Sequence, residues 1–259
     1  MQNGTDSISM AMWLLIALGM AIAGYAVLVI AGWRSYGRRG VGDGDGADDA
    51  LLDRFLPWYE VREHHHTEVA APMAVTFEAA CGISLFDSWP IRAIIRAREW
   101  AVGADHEQGR PRRRGIVEEA KSMGWGVLLE IPGREIVMGA VTQPWEKHVV
   151  FHALPPELFA DFCQPGFVKI VWTLRVDPAG AGKSTYRTET RACATGEWAR
   201  AKFRRYWAFF SPGIVLIRWI AIGRVKSEAE RAARLNNAAR FQQAAGSVTH
   251  LKDSAAHRH

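Results

Sequence analysis

Three consecutive histidines, His64 to His66, lie in a polar stretch of the sequence between Glu63 and Glu68. In an extended strand, alternate side chains point to opposite sides, so His64, His66 and Glu68 would share one side. Nitrogen and oxygen ligands of this kind bind zinc in groups of three or four, which makes these residues a weak candidate for a metal site. A solvated polar strand face explains the same pattern, and we expect no bound metal.

The opposite side of the same predicted strand carries Glu63 and His65 between the apolar residues Val61 and Val69. A carboxylate and an imidazole two positions apart on one side influence each other's protonation. Such a pair could act as general acid and base, and Glu63 and His65 are the candidates for catalytic residues. A structural pair that satisfies its own hydrogen bonds inside the domain is the alternative.

The segment 177–184 ends in Gly182-Lys183-Ser184 and resembles a phosphate-binding loop. Asp177 occupies the position of the first glycine in that motif, and the segment joins two predicted strands. A phosphate-binding loop instead opens a helix, whose first backbone amides converge on the phosphate. The segment is therefore predicted to be a hairpin turn, and we expect no cofactor.

The chain of 259 residues has 32 Lys and Arg against 27 Asp and Glu, a net charge of +5. A basic chain suggests nucleic acid or an anionic membrane as partner. The arginine-rich run 110–114 lacks interleaved aromatic residues, so we assign the charge to a membrane surface and expect no nucleic-acid partner. Cys81, Cys163 and Cys193 show no metal-binding spacing and are expected to be reduced thiols.

The sequence between residues 8 and 33 contains no charged side chain, and a helix needs roughly 20 apolar residues to cross a bilayer. It is therefore predicted to be a transmembrane helix, with residues 1–7 as a short tail. Arg34, Arg38 and Arg39 follow it, and only Asp6 precedes it. Positive charge stays on the cytoplasmic side, which predicts a single-pass protein of the inner (cytoplasmic) membrane with its N-terminus outside.

A cleaved signal peptide is the alternative, but it would carry basic residues before a shorter apolar run. Small residues at Ala17 and Ala21, and at Gly19 and Ala23, are spaced to let two such helices pack, which suggests a weak homodimer. After the helix we expect a flexible acidic linker over 34–54, rich in Gly and Asp. One soluble domain over 55–234 and a disordered or helical tail over 235–259 complete the organisation.

Hydrophobic periodicity orders the elements of this domain. Clean apolar–polar alternation over 167–176 and 185–195 predicts antiparallel strands with one buried face. The other predicted elements are a strand over 59–69, helices over 73–80 and 85–100, hairpin strands over 125–131 and 135–142, a short strand over 148–152, a helical turn over 156–162 and a long helix from Glu197. The order is a strand, two helices, a series of strands and a C-terminal helix.

Five segments with this order of elements resemble bacterial proteins of the SRPBCC (START-like, helix-grip) superfamily. They are Gly124–Glu130, Pro132–Gly139, Pro165–Trp172, Thr188–Arg191 and Phe203–Trp207, and the resemblance covers residues 55–231. It implies an α+β fold, in which a curved antiparallel sheet of the START or Bet v type wraps around the long C-terminal helix. Members bind sterols, lipids, polyketides or other apolar ligands, and some are cyclases or hydrolases. No catalytic motif of those enzymes has a counterpart here.

The implied cavity between sheet and helix would be lined by side chains on one face of the strands. The alternation assigns to this ligand-binding wall Trp125, Val127, Leu129, Met138, Ala140, Ile170, Trp172, Leu174, Tyr186, Thr188 and Thr190. Mostly apolar lining with a few hydroxyl groups suits a small-molecule pocket. A densely packed core would have the same composition.

The apolar segment 206–223 contains Arg218 and the sequence Ser211-Pro212-Gly213. It is interpreted as a helix that packs on the sheet and touches the bilayer with its outer side, and a second transmembrane span is the alternative. These features together predict a membrane-anchored START-like domain that binds a hydrophobic small molecule or lipid, with membrane lipids as partners. The alternative is a cyclase-like or hydrolase-like enzyme on the same scaffold, using Glu63 and His65.

Overall fold

The computed structural model of the chain describes residues 3–37, 50–104 and 115–256. The helices are α1 (Asn3–Ser35), α2 (Ala50–Phe55), α3 (Met73–Gly82), α4 (Trp89–Ala101), α5 (Ile116–Ser122), α6 (Pro156–Asp161) and α7 (Glu197–Ala256). The strands are β1 (Val61–Val69), β2 (Gly126–Ile131), β3 (Glu135–Thr142), β4 (Phe151–His152), β5 (Val168–Pro178) and β6 (Ser184–Ala194). The arginine-rich run and most of the predicted linker lie outside the described residues.

All strand pairs of the six-stranded sheet are antiparallel, and the strands follow the order β1-β6-β5-β3-β2, with β4 paired to the end of β3. The predicted hairpins are present, one turning at Gly133 and the other joining β5 to β6. Helices α3, α4 and α5 separate β1 from the rest of the sheet in sequence. This arrangement confirms the predicted α+β class, with an antiparallel sheet and a long C-terminal helix.

The strand register defines two faces of the sheet, here called inner and outer. One row of inner-face residues crosses five strands through directly paired positions: Glu63, Thr190, Trp172, Met138 and Val127. Helices α3 and α7 cover much of this face, while α2 and α6 pack on the outer face. Successive side chains of a strand alternate between the faces, so the register assigns each predicted site residue to one side.

Leu129 is an exception to the predicted alternation. The register of β2 against β3 shifts between Val127 and Leu129, so that Leu129 is paired with Val137. Both side chains pack in the outer-face cluster with Leu52 and Phe159. A bulge adds one residue to a strand and thereby changes which face the following side chains occupy. The prediction that Leu129 lines an inner cavity was therefore wrong.

Helix α7 continues through Pro212 and covers the sheet at two places. Near its start, Phe203 and Trp207 are buried against β1, β5 and β6, and further along Ile222 and Val225 are buried with the other end of the inner face. Because both regions pack on one sheet, the apolar segment between them stays within the domain. The structure therefore contains the predicted helix over 206–223, and this helix packs on the sheet.

Helix α1 packs against α7 with its C-terminal part. The Arg204 guanidinium lies 4.3 Å from the centre of the Trp33 ring and donates to the Trp33 carbonyl oxygen at 3.1 Å. Gly32 faces Ala208 so closely that a Cβ atom there would lie 3.3 Å from the Ala208 Cα. Further toward the N-terminus, the Tyr25 ring of α1 meets the Phe209 ring of α7 edge-on, with 5.8 Å between centroids. The apolar window within Met12–Ser35 has no buried residue.

Within the described part of the chain, two helices are by length and composition apolar enough to cross a membrane, namely Met12–Ser35 of α1 and the stretch Glu197–Ala239 of α7. The second stretch is partly buried within the domain, as described above. The small-residue pairs proposed for a homodimer lie in the exposed part of α1, and nothing approaches a Cβ position at Gly19 within 4 Å. The homodimer itself stays a prediction.

A buried carboxylate, Glu60, joins the end of α1 to the domain. It accepts hydrogen bonds from the Tyr36 hydroxyl at 2.9 Å, from the Ala194 amide at 2.8 Å and from the Arg200 guanidinium. Burial and the negative charge of Glu60 raise the pKa of Tyr36, so this phenol remains a donor. One side chain thus holds the end of α1, the end of β6 and the first turns of α7 together.

The domain begins earlier in the chain than predicted. Residues 50–54, assigned to the flexible linker, form α2 together with Phe55, and Leu52 and Phe55 are buried on the outer face. Asp53 also pairs with the fully buried Arg191. Residues 34 and 35 belong to α1, and the described part of the predicted tail, 235–256, continues α7. The linker is therefore shorter than the composition indicated, and residues 38–49 of it lie outside the described ones.

We expect Glu60→Gln to destabilise the chain by about 1–3 kcal/mol, because it weakens three hydrogen bonds to a charged acceptor. Thermal unfolding in one detergent, followed by circular dichroism, measures the change. Glu78→Gln serves as control, since Glu78 is exposed on α3 and surface changes of this kind are nearly neutral. Equal melting temperatures for the two variants would contradict this role of Glu60.

Candidate functional site

The predicted ligand-binding wall divides into a packed part and a partly exposed part. The buried members are Met138, Ala140, Leu174, Tyr186, Thr188 and Thr190. The members that keep contact with solvent are Trp125, Val127, Ile170 and Trp172. The Trp125 ring stands 6.1 Å from that of Trp172 and 4.9 Å from that of Phe151. An aromatic, water-accessible region therefore lies on the inner face, next to a well-packed core.

The segment of α7 between its two buried contact regions is also incompletely buried. Trp207, Ala208 and Ser211 are buried just before this segment, and Ile222 and Val225 are buried just after it. Every residue from 212 to 221 is partly or fully exposed. A helix packed tightly on a sheet buries a residue every three or four positions. This stretch does not, so the middle of α7 is packed less tightly on the sheet than the turns that flank it.

Arg218 extends from this stretch of α7 to the sheet, where its guanidinium donates to the Thr190 hydroxyl on β6. Its Nε is buried and has no hydrogen-bond partner. The sequence identified Arg218 only as an obstacle to a second transmembrane span. The signal that could have found it is a lone charge in an otherwise apolar helix.

Glu63 and His65, the predicted catalytic pair, lie on the inner face of β1 beside Arg218. The His65 Nε2 is 3.5 Å from a Glu63 carboxylate oxygen, and it is buried without a hydrogen-bond partner. The His65 ring also meets the edge of Trp219 on α7, with 5.3 Å between centroids. Glu63 is directly paired with Thr190 across the sheet. A polar cluster of Glu63, His65, Thr190 and Arg218 thus forms one end of the partly exposed region.

The weak metal candidates His64, His66 and Glu68 lie on the outer face of β1. The rings of His64 and His66 are 5.7 Å apart, but the described residues contain no group of three or more His, Cys, Asp or Glu that could hold a metal ion. Burial lowers the pKa of His64; the charges of Arg62 and Arg187 lower it further, and that of Glu189 opposes them. Two neighbouring guanidinium groups also oppose the binding of a cation.

The loop 177–184 is a hairpin turn, as predicted. It joins β5 to β6, and its backbone bonds run from the Ala179 amide to the Lys183 carbonyl and from the Lys183 amide to the Gly180 carbonyl. Asp177 faces the guanidinium groups of Arg134 and Arg175 at 3.2 and 2.9 Å. Asp177 therefore lies on the outer face of the sheet, and the polar cluster lies on the inner face.

The thiols do not form an activated nucleophile. Burial raises the pKa of Cys81 and that of Cys193 to about 11, with the charges of Glu130 and Glu60 respectively adding to the effect. A thiolate is the nucleophilic form of cysteine, and such groups stay protonated at neutral pH. Cys163 is exposed on the surface.

A concave groove of about 460 Å³ lies along α7, on the side of this helix that faces away from the sheet. Aromatic side chains and two cations line it, among them Trp145, Lys202, Arg205, Tyr206, Phe209 and Phe210. Lys202 lies over the rings of Trp145 and Trp198, with its Nζ 5.8 and 4.3 Å from their centroids. Phe209 also contacts Tyr25 of α1, so the groove opens beside α1. The sequence analysis did not predict this groove.

Comparison with solved structures gives neighbours of low identity. Truncated norcoclaurine synthase from Thalictrum flavum is 14% identical, with a TM-score of 0.31 over 65% of this chain and 91% of that protein. CalU16 from Micromonospora echinospora is 12% identical, with a TM-score of 0.23 over 67% and 86%. The di-domain ARO/CYC protein BexL of the BE-7585A biosynthetic pathway is 12% identical, with a TM-score of 0.28 over 66% and 46%. No protein-family model and no curated protein sequence matches the chain.

The fold is a helix grip. This assignment rests on the chain's own strand order, on the helices α3, α4 and α5 inserted between β1 and β2, and on the long C-terminal helix that packs across the inner face. The polar cluster and the water-accessible aromatic region both lie between that helix and the sheet, and they form the candidate site.

Iodoacetamide at pH 8 should modify Cys163 much faster than Cys81 or Cys193. At a pKa of about 11, about one buried thiol in a thousand is ionised at that pH. Peptide mass spectrometry at timed intervals would give the three rates, and the denatured protein, in which all three should react at similar rates, is the control. Rapid modification of Cys81 in the folded chain would show an activated thiol beside the core.

Proposed function

We propose that this chain is a membrane-anchored member of the SRPBCC superfamily that binds a hydrophobic small molecule or lipid between its sheet and α7. The observation that carries the proposal is the incomplete packing of α7 over residues 212–221, opposite the partly exposed Trp172 and Ile170. Apolar walls with a few polar groups at one end are typical of small-molecule sites.

The anchor is supported by the exposed apolar surface of α1. Side chains such as Leu14, Leu15 and Met20 are more than 60% exposed, which is stable only in lipid or against another apolar surface. Trp33 and Arg204 stack where α1 meets the domain, and Trp and Arg are common at membrane interfaces. The N-terminus lies outside and the domain in the cytoplasm, since the arginines follow the helix.

The outer side of α7 contributes to membrane contact. Phe209, Leu216 and Trp219 are each half or more exposed along this side, and Phe209 contacts α1. Exposed apolar residues flanked by cations are typical of helices that lie at a membrane surface. A ligand from the cytoplasmic leaflet would therefore have a short path to the space beneath α7.

An enzyme on the same scaffold is the second candidate, because Glu63 and His65 stand 3.5 Å apart at the edge of the site. In that case the pair would transfer a proton to or from a bound apolar substrate. The two functions use the same space, and only turnover distinguishes them.

Mass spectrometry of lipids extracted from the purified chain should reveal an apolar compound enriched over the surrounding membrane. Ile170→Trp would place a larger side chain in the site and should reduce the bound compound several-fold. Thr185→Trp is the matched control on the outer face, where Thr185 is similarly exposed, and it should retain the compound.

A wild-type chain that carries the same lipids as its membrane, in amounts that Ile170→Trp leaves unchanged, would overturn the binding proposal. Incubation of membrane extract with the wild type and with His65→Ala addresses the enzyme. A compound consumed by the wild type alone would establish turnover, and identical extracts would exclude it under those conditions.

The orientation is tested with a membrane-impermeant maleimide on intact bacterial cells and on inverted vesicles. We expect the native Cys163 to react only in inverted vesicles. In a Cys163→Ser background, Thr5→Cys should react only in intact cells and His250→Cys only in inverted vesicles. Labelling of Cys163 in intact cells would reverse the orientation. Labelling of the His250→Cys chain there would show that α7 crosses the membrane.

A further inference from the structure

Arg218 is the only charged residue between Tyr206 and Gly223, and its side chain points from α7 into the candidate site. A guanidinium group has five N–H donors. Here one nitrogen donates to the Thr190 hydroxyl, and Nε is buried without any partner. Much of the hydrogen-bonding capacity of Arg218 is therefore unused inside the protein.

No carboxylate neutralises Arg218 directly. Among the described residues, none of the Asp or Glu oxygens that form ion pairs lies within 4.0 Å of its guanidinium. Burial lowers the pKa of Arg218, and the charge of Glu63 opposes this effect only in part, while the Glu63 carboxylate is turned to His65. A guanidinium stays charged at neutral pH even when buried.

Across the same space, His65 has a second unsatisfied polar atom. Its Nε2 is buried 3.5 Å from a Glu63 carboxylate oxygen without meeting hydrogen-bond geometry, while Trp219, the residue after Arg218, packs against its ring. Buried polar atoms without partners are rare in folded proteins, and each one costs free energy unless a partner is supplied. Two of them on facing elements indicate that the missing partner arrives with a ligand.

We propose that Arg218 binds a carboxylate, so that the ligand is an amphipathic acid with one anionic end and a long apolar part. The planar guanidinium can make two parallel hydrogen bonds to a carboxylate, and His65 lies on the facing strand to contact the same group. A monoanion fits better than a phosphate dianion, because Glu63 already contributes one negative charge. The apolar part would lie along Trp172 and Ile170, a placement that rests on the binding function proposed above.

The test uses two probes of equal length, hexadecanoic acid and hexadecanol, offered together to the delipidated full-length chain in detergent. Native mass spectrometry measures the ratio of acid to alcohol retained by each variant. We expect the wild type to retain the acid at least tenfold better, and Arg218→Gln to lose this preference while still binding the alcohol. Arg205→Gln is the control, since Arg205 is exposed on the opposite side of α7, and it should keep the preference.

A measurement on the wild type alone guards against a variant that fails to fold. At pH 4 the free acid in the detergent is largely protonated and must lose its proton to pair with Arg218, so its preference over the alcohol should fall severalfold. A wild type that retains both probes equally at pH 7 would overturn the role of Arg218 and leave the binding function intact. A wild type that retains neither probe would overturn the binding function itself.

Discussion

Helix α7 is apolar on nearly every side between Tyr206 and Gly223, and the rest of the structure follows from the need to cover it. A helix of this kind must be surrounded by protein or lipid. The sheet covers one side through Trp207 and Ile222, and α1 covers a second through Gly32. On a third side, Gly213 packs against Ile94 of α4, where a Cβ would come within 2.9 Å. The fourth side is exposed, and on the proposed function it faces the bilayer.

This arrangement couples α1 to the domain more tightly than a flexible linker would. The hydrogen bonds of Glu60 hold the end of α1 against β6 and α7, and Arg204 stacks on the last aromatic ring of α1. On the proposed function, the domain therefore keeps a fixed face toward the membrane. A ligand that leaves the cytoplasmic leaflet then meets the same opening of the domain each time.

The candidate site combines two surfaces with different physical demands. The aromatic residues around Trp172 lower the free energy of an apolar ligand by removing it from water. The polar cluster around Arg218 has an incomplete set of hydrogen bonds, which raises the free energy of the folded chain. On the proposed function, a suitable ligand would complete this set. Selectivity would then come from the polar end, since apolar contacts discriminate weakly between chains of similar size.

Much of the fold could be predicted from periodicity alone. Alternation assigned Trp172, Tyr186 and Thr190 to one face of the sheet, and the structure places them on the inner face. The same rule failed at Leu129, because a bulge is decided by the pairing of two strands rather than by either sequence. It also missed α2, whose short helix depends on Leu52 and Phe55 packing against the outer face.

The sequence by itself determined the α+β order, the apolar N-terminal helix and the inward position of Glu63 and His65, because these depend on local periodicity and on runs of apolar residues. Only the tertiary structure decided that α1 packs on α7. It also decided that Arg218, which follows Glu63 by 155 positions in the sequence, lies beside Glu63 and His65. Contacts between distant segments depend on how helices pack across a sheet, and no local pattern records that geometry.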